Sequence, residues 1–188
     1  MITDMEAFKA HVDRIHRCTR CDFNATCEKK MVAGGNPKGH ILLVMDAPRP
    51  EEVQFKRPLC YEDGLYLQRS MIQAKFEQGD CFIAYAVCCT LPEPRQLKVS
   101  DCSECFGHLW KTIELFDPRL IITVGSAATG IVCDTQKTMS SVHGVLHKIG
   151  PYRVMPISHP SYMRLKGTRL QVKDYVQTLK TARDMVFA

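Results

Sequence analysis

The apolar positions of this chain fall into two kinds of pattern that alternate along it. Met5, Phe8, Val12 and Ile15 recur at helical spacing, and Thr3 or Asp4 is available as N-cap, so the pattern predicts a helix over 4–16. His40 to Met45 is a short continuous apolar run, the mark of a strand buried on both faces, and Pro48 and Pro50 interrupt it at once. Cys81 to Val87, Leu120 to Val124 and Arg153 to Ile157 read the same way. Between the runs lie helical stretches: 63–78, one capped by Ser100 or Asp101 that reaches Phe116, a short one over 127–132, and a closing helix over 171–186. Strands alternating with helices predict an α/β fold, with four parallel strands covered on both faces. In such folds ligands bind beyond the carboxyl ends of the strands. Asp46 to Glu52, the loop from Cys88 to Ser100, and Ser158 to Arg164 occupy those ends, so they are expected to converge.

Composition narrows the class. With 188 residues, 45% of them hydrophobic, the chain is expected to be one domain spanning 1–188. No apolar run approaches the roughly 20 residues of a membrane span, and no partner protein or oligomer is indicated, so a monomer is expected. The opening residues lack the basic and apolar regions of a signal peptide, which points to the cytoplasm. A net charge of +5 is a mild bias toward polyanions.

Ten cysteines in such a chain point to metal ligation before disulfides. Cys18-Thr-Arg-Cys21 offers two thiolates from one tight turn, and Cys89 and Cys105 add a second pair. Four soft thiolates suit an iron–sulfur cluster or a zinc site. Cys88 and Cys102 compete with Cys89 and Cys105, and Cys27 with the first pair, whereas Cys60, Cys81 and Cys133 read as packing residues.

Taken together, five segments resemble the iron–sulfur, family-four branch of the uracil-DNA glycosylase superfamily. They are the cysteine spacing; Met45-Asp46-Ala47-Pro48-Arg49 with Glu52; Pro58-Leu59 with Gly64 to Leu67; Leu109 to Ala128; and Pro156 to Arg164, which holds Ser158-His159-Pro160-Ser161. The resemblance covers about residues 18–164. It implies a three-layer α/β/α domain, DNA as partner, removal of a base, and a structural [4Fe–4S] cluster on Cys18, Cys21, Cys89 and Cys105. It further implies His159 as donor to the departing base, Asp46 on the water and sugar side with Glu52 assisting, and a base pocket of Ala47, Pro48, Leu59 and Tyr85. Flipping a nucleotide out of the stack also needs contacts to the strand. Ser161, Tyr162, Met163 and Arg164 are the expected wedge and clamp, with Arg95, Lys98, His147, Lys148 and Lys166 as phosphate contacts.

Departures from the family pattern fall at three places. Leu59 stands where an aromatic stacks on uracil, Tyr85 where an asparagine reads its edge, and Met45-Asp46 where the family has Gly-Glu. A changed reader with its cutting residues in place predicts a different base, such as a hydroxymethylated or glucosyl-hydroxymethylated pyrimidine of phage DNA. Uracil excision in repair and a non-cutting DNA-binding protein are the alternatives.

Overall fold

The four apolar runs lie side by side at the centre of one sheet. A computed structural model describes residues 1–27, 29–91 and 96–188. In chain order the elements are α1 (Met5–His16), β1 (Ala33–Gly35), β2 (Ile41–Met45), α2 (Pro50–Phe55), α3 (Glu62–Gln73) and β3 (Cys81–Tyr85). A 3-10 turn (Val99–Cys105) leads into α4 (Phe106–Phe116), then β4 (Leu120–Val124), α5 (Ser126–Cys133) and α6 (Met139–Val142). β5 (His147–Ile149), β6 (Tyr152–Ile157), α7 (Pro160–Lys166) and α8 (Arg169–Phe187) complete the chain.

The strand order is β1-β3-β2-β4-β6-β5. The inner four strands are parallel, as expected. The sheet is wider than expected, because β1 and β5 add an antiparallel strand at each edge. Each has three residues, too few to show a period. β5 turns back into β6 at Gly150, whose φ is +57°, so Lys148 and His147 pair with β6 at the sheet edge.

Period-2 alternation sorts the side chains into two cores. Leu43, Met45, Ile83, Tyr85 and Ile122 face Leu67 and Met71 of α3 and Tyr175 and Leu179 of α8. Leu42, Val44, Phe82 and Ile121 face Leu109, Ile113 and Phe116 of α4 and Ala127 and Val132 of α5. The result is the three-layer α/β/α arrangement. Among the described residues no helix is long and apolar enough to cross a membrane.

Helix boundaries show where local chemistry overrides periodicity. Asp4 caps α1, accepting from Ala7 N at 2.8 Å. The helix expected from Ser100 or Asp101 winds as a 3-10 turn until Cys105, where Asp101 Oδ2 accepts from Lys98 N (2.8 Å) and Ser103 Oγ donates to Ser100 O (2.9 Å). α3 stops at Gln73 rather than 78, where Lys75 turns into the left-handed region (φ +69°). α2 and α7 lie in the segments past β2 and β6, where the apolar pattern predicts no helix. Each has a proline in its first turn, where the missing N–H costs nothing.

β2 lies between β3 and β4, so the chain reverses its direction of travel across the sheet beside β2. The loops after β2, β4 and β6 open on one crevice there. The α3 start is pressed on the chain beneath this crevice: a Cβ at Gly64 would lie 2.5–2.7 Å from Leu59 backbone atoms. Gly64→Ala should therefore cost about 1–3 kcal/mol as overpacking. Thermal denaturation should show it as a Tm lower by several degrees, at about 2–4 °C per kcal/mol.

Candidate active site

The crevice is an open cleft of about 630 Å³, lined among others by Asp46, Ala47, Pro48, Arg49, Tyr61, His159 and Ser161. Asp46 is the first residue past β2, and alternation points it to the α5 side. Its Oδ1 accepts from Ala128 N at 3.0 Å, one of the N–H groups that the first turn of α5 leaves unpaired. Burial pushes its carboxyl up to about 6, with Ala128 N–H and then Arg49 pulling the other way. Gly125, between β4 and α5, has φ +94°, and a Cβ there would lie 3.1 Å from Asp46 Oδ2 and 3.4 Å from His159 Cδ2. The carboxylate and the imidazole thus flank one bare stretch of backbone.

His159 is the N-cap of α7. Its Nδ1 accepts from Ser161 N (3.2 Å) and pairs with Ser161 Oγ (2.6 Å). An acceptor at Nδ1 leaves the ring proton on Nε2. Burial brings the imidazole down to about 4, with Asp63 opposing and Arg49 adding to the fall. At neutral pH the site therefore offers a neutral N–H donor beside a carboxylate. Ser161 orients the histidine ring.

The other expected pocket residues divide. Ala47 and Pro48 line the cleft; Leu59, Tyr85 and Glu52 do not. Glu52 is 1% exposed. Its Oε2 accepts from Arg49 N (2.8 Å), and its Oε1 from Leu59 N (2.5 Å) and Tyr85 Oη (3.0 Å). Burial raises its carboxyl, with those donors opposing. Both oxygens are engaged beneath the cleft, in place of the water-side position expected from the sequence. Tyr85 belongs to the α3/α8 core, where burial and Glu52 raise its phenol.

Leu59 has a left-handed backbone (φ +59°) and packs inward, so the next aromatic, Tyr61, comes round to the cleft instead. The Arg49 guanidinium lies 5.5 Å from the centre of the Tyr61 ring. Sequence reasoning missed both residues. The available signal was an aromatic two positions past Leu59 and an arginine that closes the Met45–Arg49 segment.

At the cleft mouth stand the exposed Tyr162 and Leu165, with Lys166. Met163 is buried. Arg164 is committed to the start of α3, its Nε donating to Asp63 Oδ1 (2.8 Å) and Nη1 to Glu62 Oε1 (2.9 Å). Lys98 is exposed beside Leu97, which lines the cleft. His147 and Lys148 lie on the edge strand β5. Arg95 lies outside the described residues.

A second assembly of side chains joins the loop after α1 to the segment after β3. Met31 N donates to Cys88 O at 2.9 Å, and Lys30 bridges Cys89. Cys21 and Cys88 donate to Cys105, and with Arg20 nearby they draw its thiol down to about 6. Cys18 lies beside Arg20, Cys21 and Cys88, whereas Cys89 is hydrogen-bonded to Cys27 with Cys21 adjacent. Three of the four expected ligands, Cys18, Cys21 and Cys105, are therefore neighbours, and Cys88 and Cys89 both border them. Among the described residues no three His, Cys, Asp or Glu side chains are arranged to hold a metal ion as they stand.

Comparison with known proteins places this geometry. Residues 33–182 match the model of the Uracil DNA glycosylase superfamily. The Type-4 uracil-DNA glycosylase of Thermotoga maritima is 27% identical over 165 residues, 87% of this chain and 86% of that protein. Its counterpart in Pyrobaculum aerophilum is 26% identical over 121 residues, 64% of this chain and 61% of that protein. A DNA polymerase of Bacillus phage SP01 is 25% identical over 135 residues, 71% of this chain but 14% of the polymerase.

The opposed shifts of Asp46 and His159 have a measurable consequence. The Asp46 contribution to stability is whole below its ordinary 3.8 and is lost as pH rises toward about 6. That of His159 is whole above 6.5 and is lost as pH falls toward about 4. Each amounts to about 3 kcal/mol at full extent, and the two are opposite in sign. Relative to wild type, thermal melts across this window should show Tm rising more steeply with pH in Asp46→Asn and less steeply in His159→Gln. Equal slopes in the two variants would contradict the assignment.

Proposed function

The chain belongs to the Uracil DNA glycosylase superfamily, and on that premise we propose that it flips a nucleotide out of DNA and hydrolyses its N-glycosidic bond, leaving an abasic site. The observation that carries this reading is the placing of Asp46 and His159 on either side of Gly125 in one cleft. As the bond breaks, the base departs as an anion and the sugar gains oxocarbenium character. His159 donates its Nε2 proton in a hydrogen bond to the oxygen of the departing base, where negative charge develops. Asp46, ionised above about pH 6, orients water on the sugar side and offsets the positive charge. Glu52 holds the loop that carries Asp46. Tyr162 and Leu165, apolar and exposed at the mouth, suit the gap that the flipped nucleotide leaves.

For the base itself we propose a modified pyrimidine with a substituent rich in hydrogen-bond acceptors, removed from phage DNA as a defence. Arg49 and Tyr61 support this: a guanidinium and an aromatic face line the cleft together, and the former carries several donors suited to a substituent rich in acceptors. The second reading is uracil excision in repair, which the names of the relatives favour.

Cys18, Cys21, Cys89 and Cys105 are proposed to hold a [4Fe–4S] cluster, with Cys88 the competitor of Cys89. Clustered soft thiols joining two loops support it. When bound, the cluster would fasten the loop after α1 to the start of α4.

Two experiments check these readings. Duplexes carrying uracil, hydroxymethylated or glucosyl-hydroxymethylated pyrimidines are incubated with the protein and then cleaved at abasic sites with alkali. The modified duplex should be cut faster than uracil, with a rate that rises through about pH 6. Asp46→Asn should lose about 10²–10⁴-fold and His159→Ala about 10²–10³-fold. Brisk cutting of uracil alone would return the chain to the repair reading, and no cutting of any duplex would leave only binding. Separately, anaerobically purified protein should be brown, absorbing near ~400 nm. Cys89→Ser should bleach it and Cys88→Ser should not; the reverse result would exchange the ligand.

A further inference from the structure

The strand that delivers His159 to the cleft leaves one backbone donor uncovered. The ladder between β4 and β6 ends at Val124 opposite Ile157, and Ile157 O then accepts from Gly125 N at 2.9 Å. Ser158 comes next, buried and past the ladder, so its N–H has no strand partner. His143, at the carboxyl end of α6, takes it: Nδ1 accepts from Ser158 N at 3.0 Å, and Ser158 Oγ lies 3.4 Å from the same atom.

His143 is itself held on every side. Its N–H donates to Met139 O (2.9 Å), and Gly144 N donates to Pro156 O (2.9 Å), so backbone bonds bracket it. Its ring stacks on the buried Tyr175 of α8, with centroids 5.9 Å apart and planes 11° from parallel. Because Nδ1 is the acceptor, the ring proton sits on Nε2, which faces Asp174 Oδ2 at 3.6 Å. A partly buried, stacked imidazole whose one accepting nitrogen is aimed at the Ser158 N–H is more than packing demands.

We infer that His143 is a positioning residue: by accepting the Ser158 N–H it fixes the backbone that carries the His159 ring into the cleft. The inference rests on the role proposed for His159. A displacement near 1 Å at a reacting group costs about 100-fold in rate, so one hydrogen bond here has leverage on chemistry and little on DNA binding.

Two substitutions separate the acceptor from the ring. His143→Asn keeps an acceptor, Oδ1, close to the place of Nδ1 and removes the stacked ring. His143→Phe keeps the ring on Tyr175 and removes the acceptor. Single-turnover excision should fall about 10–100-fold in His143→Phe with KM for DNA unchanged. In His143→Asn it should stay within about 3-fold of wild type. Should the phenylalanine variant fail to fold, His143→Leu takes its place.

A second readout does not depend on activity. NMR titration of the His159 ring should show its midpoint moving up by about one unit or more toward the ordinary value in His143→Phe, and staying near the wild-type midpoint in His143→Asn. If wild type excises no base, the proposed reaction has failed and this ring signal alone decides the positioning role. A His159 midpoint unmoved in His143→Phe overturns the inference. So does a phenylalanine variant that matches wild type while the asparagine variant does not, since packing would then be what matters.

Discussion

The cleft depends on Gly125 having no side chain. β2, β4 and β6 are neighbours in register, so their carboxyl ends come level and offer three loops to one crevice. The middle strand must then turn at once into α5 without filling the space between the outer two. Gly125 does so at φ +94°, a conformation that other residues rarely adopt, and its hydrogen stands where a Cβ would meet both Asp46 and His159. The same turn aims one N–H of the first turn of α5, that of Ala128, at the Asp46 carboxylate. One backbone feature therefore fixes the spacing of the two groups and supplies a partner to one of them.

Beneath the cleft a different constraint operates, a carboxylate buried with its hydrogen bonds filled. Glu52 in the interior would be costly alone. Donors from Arg49, Leu59 and Tyr85 satisfy it, and in doing so they tie the loop after β2 to the left-handed turn at Leu59 and the end of β3. Leu59 and Tyr85 stand where the resemblance led us to expect a stacking ring and an edge-reading amide. Here both face inward on this knot, so the wall of the cleft falls to other residues.

Much of this was legible in the sequence where a signal repeats, and little where it is single. The four inner strands announce themselves as apolar runs, and Asp46 and His159 are legible because each is the first or second residue past such a run. The edge strands β1 and β5 are too short to show alternation. Pro50 reads as a breaker because a proline that starts a helix and one that ends a strand look alike before their surroundings are known. The inward turn of Tyr85 was readable, since it shares the parity of Ile83 along β3. That of Leu59 was not, because a positive φ at a leucine leaves no trace in composition. The cysteines show the limit of spacing: adjacent residues 88 and 89 both reach the thiol group, and only side-chain geometry separates them.

Arg49 connects the two levels. Its backbone N–H is held by Glu52 below, while its guanidinium lies over Tyr61 in the cleft above. From there its charge lowers both Asp46 and His159, favouring the ionised carboxylate and the neutral imidazole. A cation at this position therefore does more than decorate the wall that a flipped base would meet. It also moves Asp46 toward the ionised state that its proposed role requires, against a burial that pushes the other way. Altering Arg49 would accordingly shift the pH at which the proposed chemistry runs, so in that proposal the choice of base and the ionisation of Asp46 are coupled through one side chain.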